Sequence, residues 1–298
     1  MYPKEFDYYA AKSVDDALSL LERHEESKLL AGGQSLVALM KLRLAAPATL
    51  VDIGRIPDLD YVRPGPSRSD DIEIGALTTH DTIAHSELLE RECPILPHAA
   101  GRIADQQIRN VGTIGGSCCH ADPASDLPPT LRALDAIFTV VGRSGSRTVP
   151  ADEFFLGLFE TAVRPGEILT SVRVPRLPTR WGWHYTKFNR RHGDYPIVGV
   201  AIVLRLKDRS DAIAEARIGL AAVGPTPLRA RAAEAYLRDR EATAEVVTEA
   251  AEKATEGLEP GSDIHGSASY RTELVRVLVR RGIPDAVETA KARPGGKA

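Results

Sequence analysis

Residues 29–36 read Leu29-Leu30-Ala31-Gly32-Gly33-Gln34-Ser35-Leu36, an apolar run that leads into two glycines and two polar residues. A second segment of the same character, Thr113-Ile114-Gly115-Gly116-Ser117, lies further along the chain. Glycine has no Cβ, so consecutive backbone N–H groups in such a segment are open to an anion. One segment alone is also ordinary turn chemistry. Two of them predict a clamp on a ligand with more than one phosphate, such as the pyrophosphate of a dinucleotide.

The residues around the first segment predict a strand, a turn, a helix and a second strand. Short apolar runs at Lys28–Ala31 and Thr49–Ile53 are typical of buried strands, and Leu36–Leu44 is a compact helical run. This spacing places the two glycines at the start of a helix, where free N–H groups and the helix dipole favour a negative ligand.

A stretch rich in Pro, Gly, Ser and Asp, from Arg63 to Asp71, separates this unit from a larger α/β unit. The boundary is therefore placed near residue 58. The larger unit is predicted to contain strands at Ile72–Ala76, Ala136–Val141 and Ile168–Val174, and helices at Asp81–Leu89, Ile95–Ala104 and Leu127–Leu134.

From residue 181 onward the pattern changes to apolar runs with no helix-length gap between them, which predicts an antiparallel sheet. Three helical segments follow, and Gly282 with Pro284 is predicted to end the last one. The three runs are Trp183–Phe188, Pro196–Leu206 and Ala214–Val223. The predicted domains are residues 1–176, with subdomains of about 1–58 and 59–176, then residues 177–285 and a tail of residues 286–298.

The composition excludes several classes of protein. A chain of 298 residues with 43% hydrophobic residues can build two compact domains, and its net charge of -3 gives no basic stripe for nucleic acid. The start of the chain has no apolar signal core, which predicts a cytoplasmic protein. Three cysteines, Cys93, Cys118 and Cys119, exclude a disulfide framework and are too few for an iron–sulfur cluster in this chain.

Several catalytic motifs are absent from the sequence. Neither glycine segment matches the G-x-G-x-x-G of a Rossmann site or the Gly-Lys-Ser/Thr ending of a Walker loop. H-E-x-x-H, paired C-x-x-C and G-x-S-x-G patterns are also missing, so no metal site and no catalytic residue is assigned. Cys118 and Cys119 are interpreted as packing residues, with a redox or metal role as the alternative. His120 is interpreted as ordering its loop rather than as a catalytic base.

Five ordered segments resemble the FAD-binding medium subunit of the molybdenum hydroxylases, the family of aerobic carbon monoxide dehydrogenase and xanthine dehydrogenase. The resemblance runs from about Phe6 to Pro284. The segments are Leu29–Leu36, Ile108–Ser117, His120–Pro128, Lys187–Tyr195 and Asp263–Arg271.

The resemblance implies an α+β protein with a vanillyl-alcohol-oxidase-type (PCMH-type) FAD-binding fold of two α/β subdomains. A C-terminal domain of antiparallel sheet and helices, like that of the CO dehydrogenase flavoprotein, would follow. The first glycine segment would hold the pyrophosphate and adjoining flavin, and the second would complete the clamp. Asp126 would hydrogen-bond the cofactor. The cofactor-binding residues implied in this way are Leu29, Leu30, Ala31, Gly32, Gly33, Gln34, Ser35, Leu36, Ile103, Thr113, Ile114, Gly115, Gly116, Ser117, Asp126, Leu169, Lys187 and Tyr195.

Lys187 and Tyr195 would lie near the flavin ring. A cation at Lys187 could stabilise a negatively charged reduced ring, whereas the residues alone favour a solubilising lysine at a strand edge. Ile103 and Leu169 would pack against the cofactor.

The resemblance also implies the function and the partners. A large partner would oxidise the substrate at a molybdenum cofactor, a small partner would carry [2Fe–2S] clusters, and FAD in this chain would pass electrons to NAD, quinone or oxygen. The family expectation is a cytoplasmic heterohexamer that can associate with the inner face of the membrane through the complex. No nucleic-acid partner is expected.

Two other functions stay open. A free-standing FAD-dependent oxidoreductase of the same fold would need an acid or base at the ring, for which His192 and Tyr195 are candidates. A non-redox nucleotide-binding assembly protein would keep the clamp without turnover. Flavin colour in the purified protein would argue against the assembly protein. Co-purification of two further subunits would argue against the free-standing enzyme.

Overall fold

The computed structural model describes residues 2–65 and 71–292, and its N-terminal unit is a small parallel sheet with strand order β1-β3-β2. The predicted strand–turn–helix–strand arrangement is confirmed. Strand β1 has no sequence signal, because all four of its residues are exposed. The elements are β1 (Asp7–Ala10), α1 (Val14–Arg23), β2 (Ser27–Leu30), α2 (Leu36–Lys41) and β3 (Thr49–Asp52), followed by a 3-10 turn at Pro57–Leu59.

The second unit is built on a five-stranded antiparallel sheet of order β4-β5-β10-β6-β7, with helices packed around it. Its strands are β4 (Val62–Pro64), β5 (Asp71–Gly75), β6 (Ile137–Gly142), β7 (Gly145–Pro150), β8 (Phe155–Gly157), β9 (Glu160–Thr161) and β10 (Ile168–Pro175), of which β8 and β9 form a separate hairpin. Its helices are α3 (His80–Ala84), α4 (Glu87–Glu92), α5 (Ile95–Gly101), α6 (Gln106–Arg109), α7 (Ile114–His120), α8 (Leu127–Ala133) and α9 (Ala151–Phe154).

Two helices of this unit are shorter than predicted. The helix expected at Asp81–Leu89 is split into α3 and α4, because Ser86 accepts a hydrogen bond from the N–H of Leu89 and starts a new helix. The helix expected to reach Ala104 ends at Gly101, and Ala104 has a φ of 40°. That left-handed conformation cannot continue a right-handed helix.

The C-terminal unit confirms the predicted antiparallel sheet and the three helices after it. The sheet has the order β11-β12-β13-β14. One of its faces packs on the C-terminal helices, and the other packs on α5 and α8 of the second unit. Its elements are β11 (Trp181–Phe188), β12 (Val198–Leu206), β13 (Ile213–Ala221), β14 (Leu228–Arg229), α10 (Arg231–Leu237), α11 (Ala244–Lys253) and α12 (Ala268–Ala292). In the described ranges, no helix is both long and apolar enough to cross a bilayer.

The predicted end of the last helix is wrong, since α12 continues through Pro284 to Ala292. Val287 and Ala290 are buried in this extension, and strand β11 approaches it so closely that a Cβ on Gly182 would lie 1.9 Å from the carbonyl oxygen of Ala286. Packing against the sheet therefore outweighs the hydrogen bond that proline cannot donate. The predicted tail begins inside this helix, and residues 293–298 lie outside the described residues.

Gly219 holds the sheet of the C-terminal unit against α8. A Cβ at this position would lie 2.0 Å from the carbonyl oxygen of Pro129. We expect Gly219→Ala to lower the free energy of unfolding by about 1–3 kcal/mol, as overpacking does, measured by urea denaturation. Gly261→Ala is the matched control, because nothing lies within 4 Å of its added Cβ. Equal midpoints for the two variants would contradict this account of the interface.

Candidate functional site

The two glycine segments meet in the structure. A Cβ on Gly32 would lie 2.0 Å from the carbonyl oxygen of Val111, and one on Gly116 would lie 3.9 Å from the Cβ of Ala31. Only a residue without a side chain allows the first of these approaches. The residues that are separated in sequence therefore form one continuous surface.

The first segment carries a row of free donors. The N–H groups of Gly32, Gly33, Gln34, Ser35 and Leu36 donate to no acceptor within residues 2–65 and 71–292. Gly33 has a φ of 74°, which glycine adopts without strain. The first N–H groups of a helix have no partner within it, and consecutive free N–H groups bind phosphate oxygens well.

The second segment differs from the prediction. The N–H groups of residues 114–117 all donate within the protein: the first two to the carbonyl oxygens of Thr78 and Ala76, and the last two to the hydroxyl and carbonyl oxygens of Thr113. The expectation that this segment also offers a row of free N–H groups is wrong, because it forms the capped first turn of α7. Gly115 instead allows close packing, since a Cβ there would lie 2.6 Å from Ala76.

A buried ion pair joins the second unit to the C-terminal sheet. Lys187 Nζ lies 3.1 Å from Asp126 Oδ2, and the two side chains are only 2% and 5% exposed. An ammonium has three donors, and Asp126 is its only hydrogen-bond partner in the described ranges. Lys187 therefore keeps donors for a ligand.

Tyr185 completes this cluster, and the sequence interpretation missed it. It lies two residues before Lys187 on β11, so both side chains point to the same face. Its hydroxyl donates a hydrogen bond to Asp126. Burial raises the pKa of the Asp126 carboxyl despite the opposing effect of Lys187, and it also raises the pKa of Tyr185. The spacing Tyr185-Thr186-Lys187 was the available signal, but an aromatic residue on a strand is ordinary in sequence.

The loop after β11 brings Tyr195 to the first glycine segment. Tyr195 lies beside Ser35, whose hydroxyl lowers the pKa of Tyr195 against the larger opposing effect of burial, and 58% of the surface of Tyr195 is exposed. Gly193 supports the loop with a φ of 86° and packs so closely that a Cβ would lie 2.9 Å from the carbonyl oxygen of Ala104. The loop therefore places an aromatic ring beside the free N–H row. His192, the other acid or base candidate, is exposed.

The other residues predicted to contact the cofactor are more buried than Tyr195. Leu169 is 4% exposed and pairs with Val140 inside the five-stranded sheet. Ile103 is half-buried and packs against the same core, where Arg109 donates a hydrogen bond to its carbonyl oxygen. Residues 29–31 are partly buried, and Thr113 and Ile114 are buried.

Cys118, Cys119 and His120 differ in how they are packed. Cys118 is buried in the core and Cys119 is exposed, while the ring of His120 lies 5.1 Å from that of Phe159. Among the residues the structure describes, no group of three His, Cys, Asp or Glu side chains could hold a metal ion.

His80 supports the junction of the two segments and predicts an acid-sensitive stability. It is 5% exposed, its Nδ1 has no partner, and burial helped by Arg109 lowers its pKa from 6.5 to about 4. Between pH 6.5 and pH 4, His80 is protonated in the unfolded chain but stays neutral in the folded chain. Stability is therefore lost as the pH falls, by about 2 kcal/mol between pH 7 and pH 5.

Urea denaturation across this pH range measures the effect. His80→Gln should flatten the slope, whereas His265→Gln, at an exposed position, should leave it unchanged. An unaltered slope in His80→Gln would exclude His80 as its source.

The fold and this surface together define a class: an α+β protein whose first glycine segment presents free backbone N–H donors. Sequence profiles specify the class further. The FAD binding domain in molybdopterin dehydrogenase matches residues 4–177, and the CO dehydrogenase flavoprotein C-terminal domain matches residues 183–286. The chain belongs to the family of FAD-binding medium subunits of the molybdenum hydroxylases, and it is an oxidoreductase subunit.

Individual relatives agree with this assignment. The 6-hydroxypseudooxynicotine dehydrogenase complex subunit alpha of Paenarthrobacter nicotinovorans is 42% identical over 98% of this chain and 97% of its own length. A carbon monoxide dehydrogenase structure from Hydrogenophaga pseudoflava matches with a TM-score of 0.93 and 41% identity, covering 97% of this chain and 99% of that one. Quinoline 2-oxidoreductase from Pseudomonas putida 86 matches with a TM-score of 0.91 and 33% identity, covering 97% and 99%. The predicted fold class is confirmed.

Proposed function

We propose that this chain is the FAD-carrying electron-transfer subunit of a molybdenum hydroxylase complex. It would accept electrons from [2Fe–2S] clusters on a small partner, which receives them from a molybdenum cofactor on a large partner. The observation that supports this most directly is the row of free N–H groups at residues 32–36, in a chain whose residues 4–177 match an FAD-binding domain.

The donors in this surface suit FAD, which presents a pyrophosphate and a ring edge of hydrogen-bond acceptors. FAD, when bound, supplies a ring that takes up and releases electrons. In the proposed site, residues 29–36 hold the pyrophosphate and the adjoining flavin, and residues 113–117 form the facing wall. No lysine or arginine lies within either segment, so backbone N–H groups would neutralise the phosphates.

Five further side chains shape the ring end of the proposed site. Lys187 would offer its spare donors and its positive charge, and Asp126 would orient that ammonium while hydrogen-bonding the cofactor. Tyr195 would cover the ring from the side of Ser35. Ile103 and Leu169 would supply apolar contacts and exclude water.

The proposal extends to the assembly. Medium chains and complex subunits among the relatives support a complex with a large and a small partner, which we propose to be a heterohexamer. NAD, quinone or oxygen would accept the electrons, and the complex would work in the cytoplasm, where it can associate with the inner face of the membrane. We propose domain boundaries after residue 176 and near residue 58, with the C-terminal domain at residues 177–285.

The test is to purify the chain with its co-expressed partners and alone, and to titrate each with FAD while recording visible spectra. Equimolar FAD with two co-purifying subunits is expected. Substrate turnover by the isolated chain would instead favour the free-standing oxidoreductase. Failure of both preparations to bind FAD would overturn the proposal.

A further inference from the structure

We infer that Tyr185 is a positioning residue of the flavin site. Its hydroxyl holds the Asp126 carboxylate in place and shares the negative charge of that carboxylate. The Lys187 ammonium then stays directed to the cofactor, and the site favours reduced over oxidised FAD. The inference rests on the proposed function, because it concerns the affinity of this site for two forms of one cofactor.

The geometry makes Tyr185 a partner of Asp126 and not of Lys187. The hydroxyl donates to Asp126 Oδ1, while Lys187 Nζ donates to Oδ2 and lies 3.1 Å from both carboxylate oxygens. All three residues are buried, with exposures of 3% for Tyr185, 5% for Asp126 and 6% for Lys187. Asp126 directly precedes α8, and its side chain caps no backbone N–H of that helix. Its carboxylate therefore accepts hydrogen bonds from the two side chains of β11 rather than from its own helix.

The other charged groups near Asp126 do not replace this contact. Arg102, at the end of α5, acts on Asp126 through its charge alone. On the far side of Tyr185, the ring of His98 stands edge-on with 6.3 Å between ring centroids. In the described part of the chain, Tyr185 and Lys187 are thus the two side-chain hydrogen-bond donors to Asp126.

Removing the hydroxyl changes how strongly Asp126 holds Lys187. A carboxylate that accepts a hydrogen bond from a buried hydroxyl shares its negative charge with that bond, so it attracts the ammonium less. Without the hydroxyl, the carboxylate would draw the ammonium closer and cancel more of its field. Reduced FAD carries a negative ring charge near neutral pH and gains more from a neighbouring cation than oxidised FAD does.

The experiment measures the dissociation constants of oxidised and reduced FAD for the co-purified complex under anaerobic conditions. We expect Tyr185→Phe to lower the preference for reduced FAD about 10-fold, which corresponds to about 30 mV for a two-electron couple. Tyr236→Phe is the matched control, since Tyr236 lies on α10 and packs with the C-terminal core. Incorporating 3-fluorotyrosine at position 185, which strengthens the hydroxyl as a donor, should move the preference the opposite way.

A double-mutant cycle identifies the route of the effect. On an Asp126→Asn background, Tyr185→Phe should no longer change the preference, because the carboxylate is gone. A full effect on that background, or no effect in the single variant of a complex that binds FAD, would overturn the inference. If the unmodified complex binds no FAD, it is the proposed function that fails.

Discussion

Replacing Lys187 with methionine is expected to lower the free energy of unfolding by about 3–5 kcal/mol, the usual cost of leaving one member of a buried ion pair alone. The side chains of Lys187 and Asp126 are 2% and 5% exposed, so water does not compensate the remaining carboxylate. In the variant, Asp126 escapes the penalty only by binding a proton. The loss should therefore be larger at pH 8 than at pH 5, where the carboxyl is more readily protonated. Urea denaturation at both pH values measures it.

Lys207→Met is the matched control for this prediction. Lys207 pairs with Asp239 at 2.7 Å, but the two side chains are 44% and 66% exposed. Exposed pairs contribute about 0–1 kcal/mol. A second variant, Lys187→Met with Asp126→Asn, should recover part of the lost stability because no charge stays buried. Equal losses for Lys187→Met and Lys207→Met would show that burial does not set the strength of the Lys187 pair.

Local patterns of apolar residues were enough to predict several elements of the fold. The apolar runs on both sides of Gly32 and Gly33 predicted a strand and a helix, and both are present as β2 and α2. The three apolar runs of the C-terminal unit predicted its antiparallel sheet. Strand β12 is buried along nearly its whole length because both faces of the sheet are covered, and such a strand reads as a continuous apolar run.

The misinterpreted positions depend on distant contacts. Gly282 reads as a helix stop, yet it lies within α12, where an added Cβ would lie 2.9 Å from Ile202. The second glycine segment has the residues of an open turn, but its first two N–H groups donate to the distant carbonyl oxygens of Thr78 and Ala76. Tyr185 gains its importance from Asp126, which precedes it by 59 residues. Hydrophobic periodicity and secondary-structure propensity depend on neighbours along the chain, so they carry no information about these distant partners.

Gly32→Ala is expected to weaken FAD binding by about 100-fold or more. The new Cβ would lie 2.0 Å from the carbonyl oxygen of Val111, so one of the two backbones must move. A movement of this size misaligns the free N–H groups of residues 32–36 with a bound pyrophosphate. Hydrogen bonds to charged groups contribute about 1.5–3 kcal/mol each, so losing two of them costs at least about 3 kcal/mol, or roughly 100-fold in affinity.

The control is Gly101→Ala in helix α5 of the second unit, where the added Cβ would meet only the Cβ of Ala84, at 3.9 Å. Both variants are compared with the unmodified chain by FAD titration, and circular dichroism establishes that each is folded. A folded Gly32→Ala variant that binds FAD as tightly as Gly101→Ala would mean that the first glycine segment does not hold the pyrophosphate. The Cβ added by Gly32→Ala would collide with the backbone carbonyl of Val111 and not with its side chain. Truncating the Val111 side chain in the Gly32→Ala variant should therefore restore no affinity.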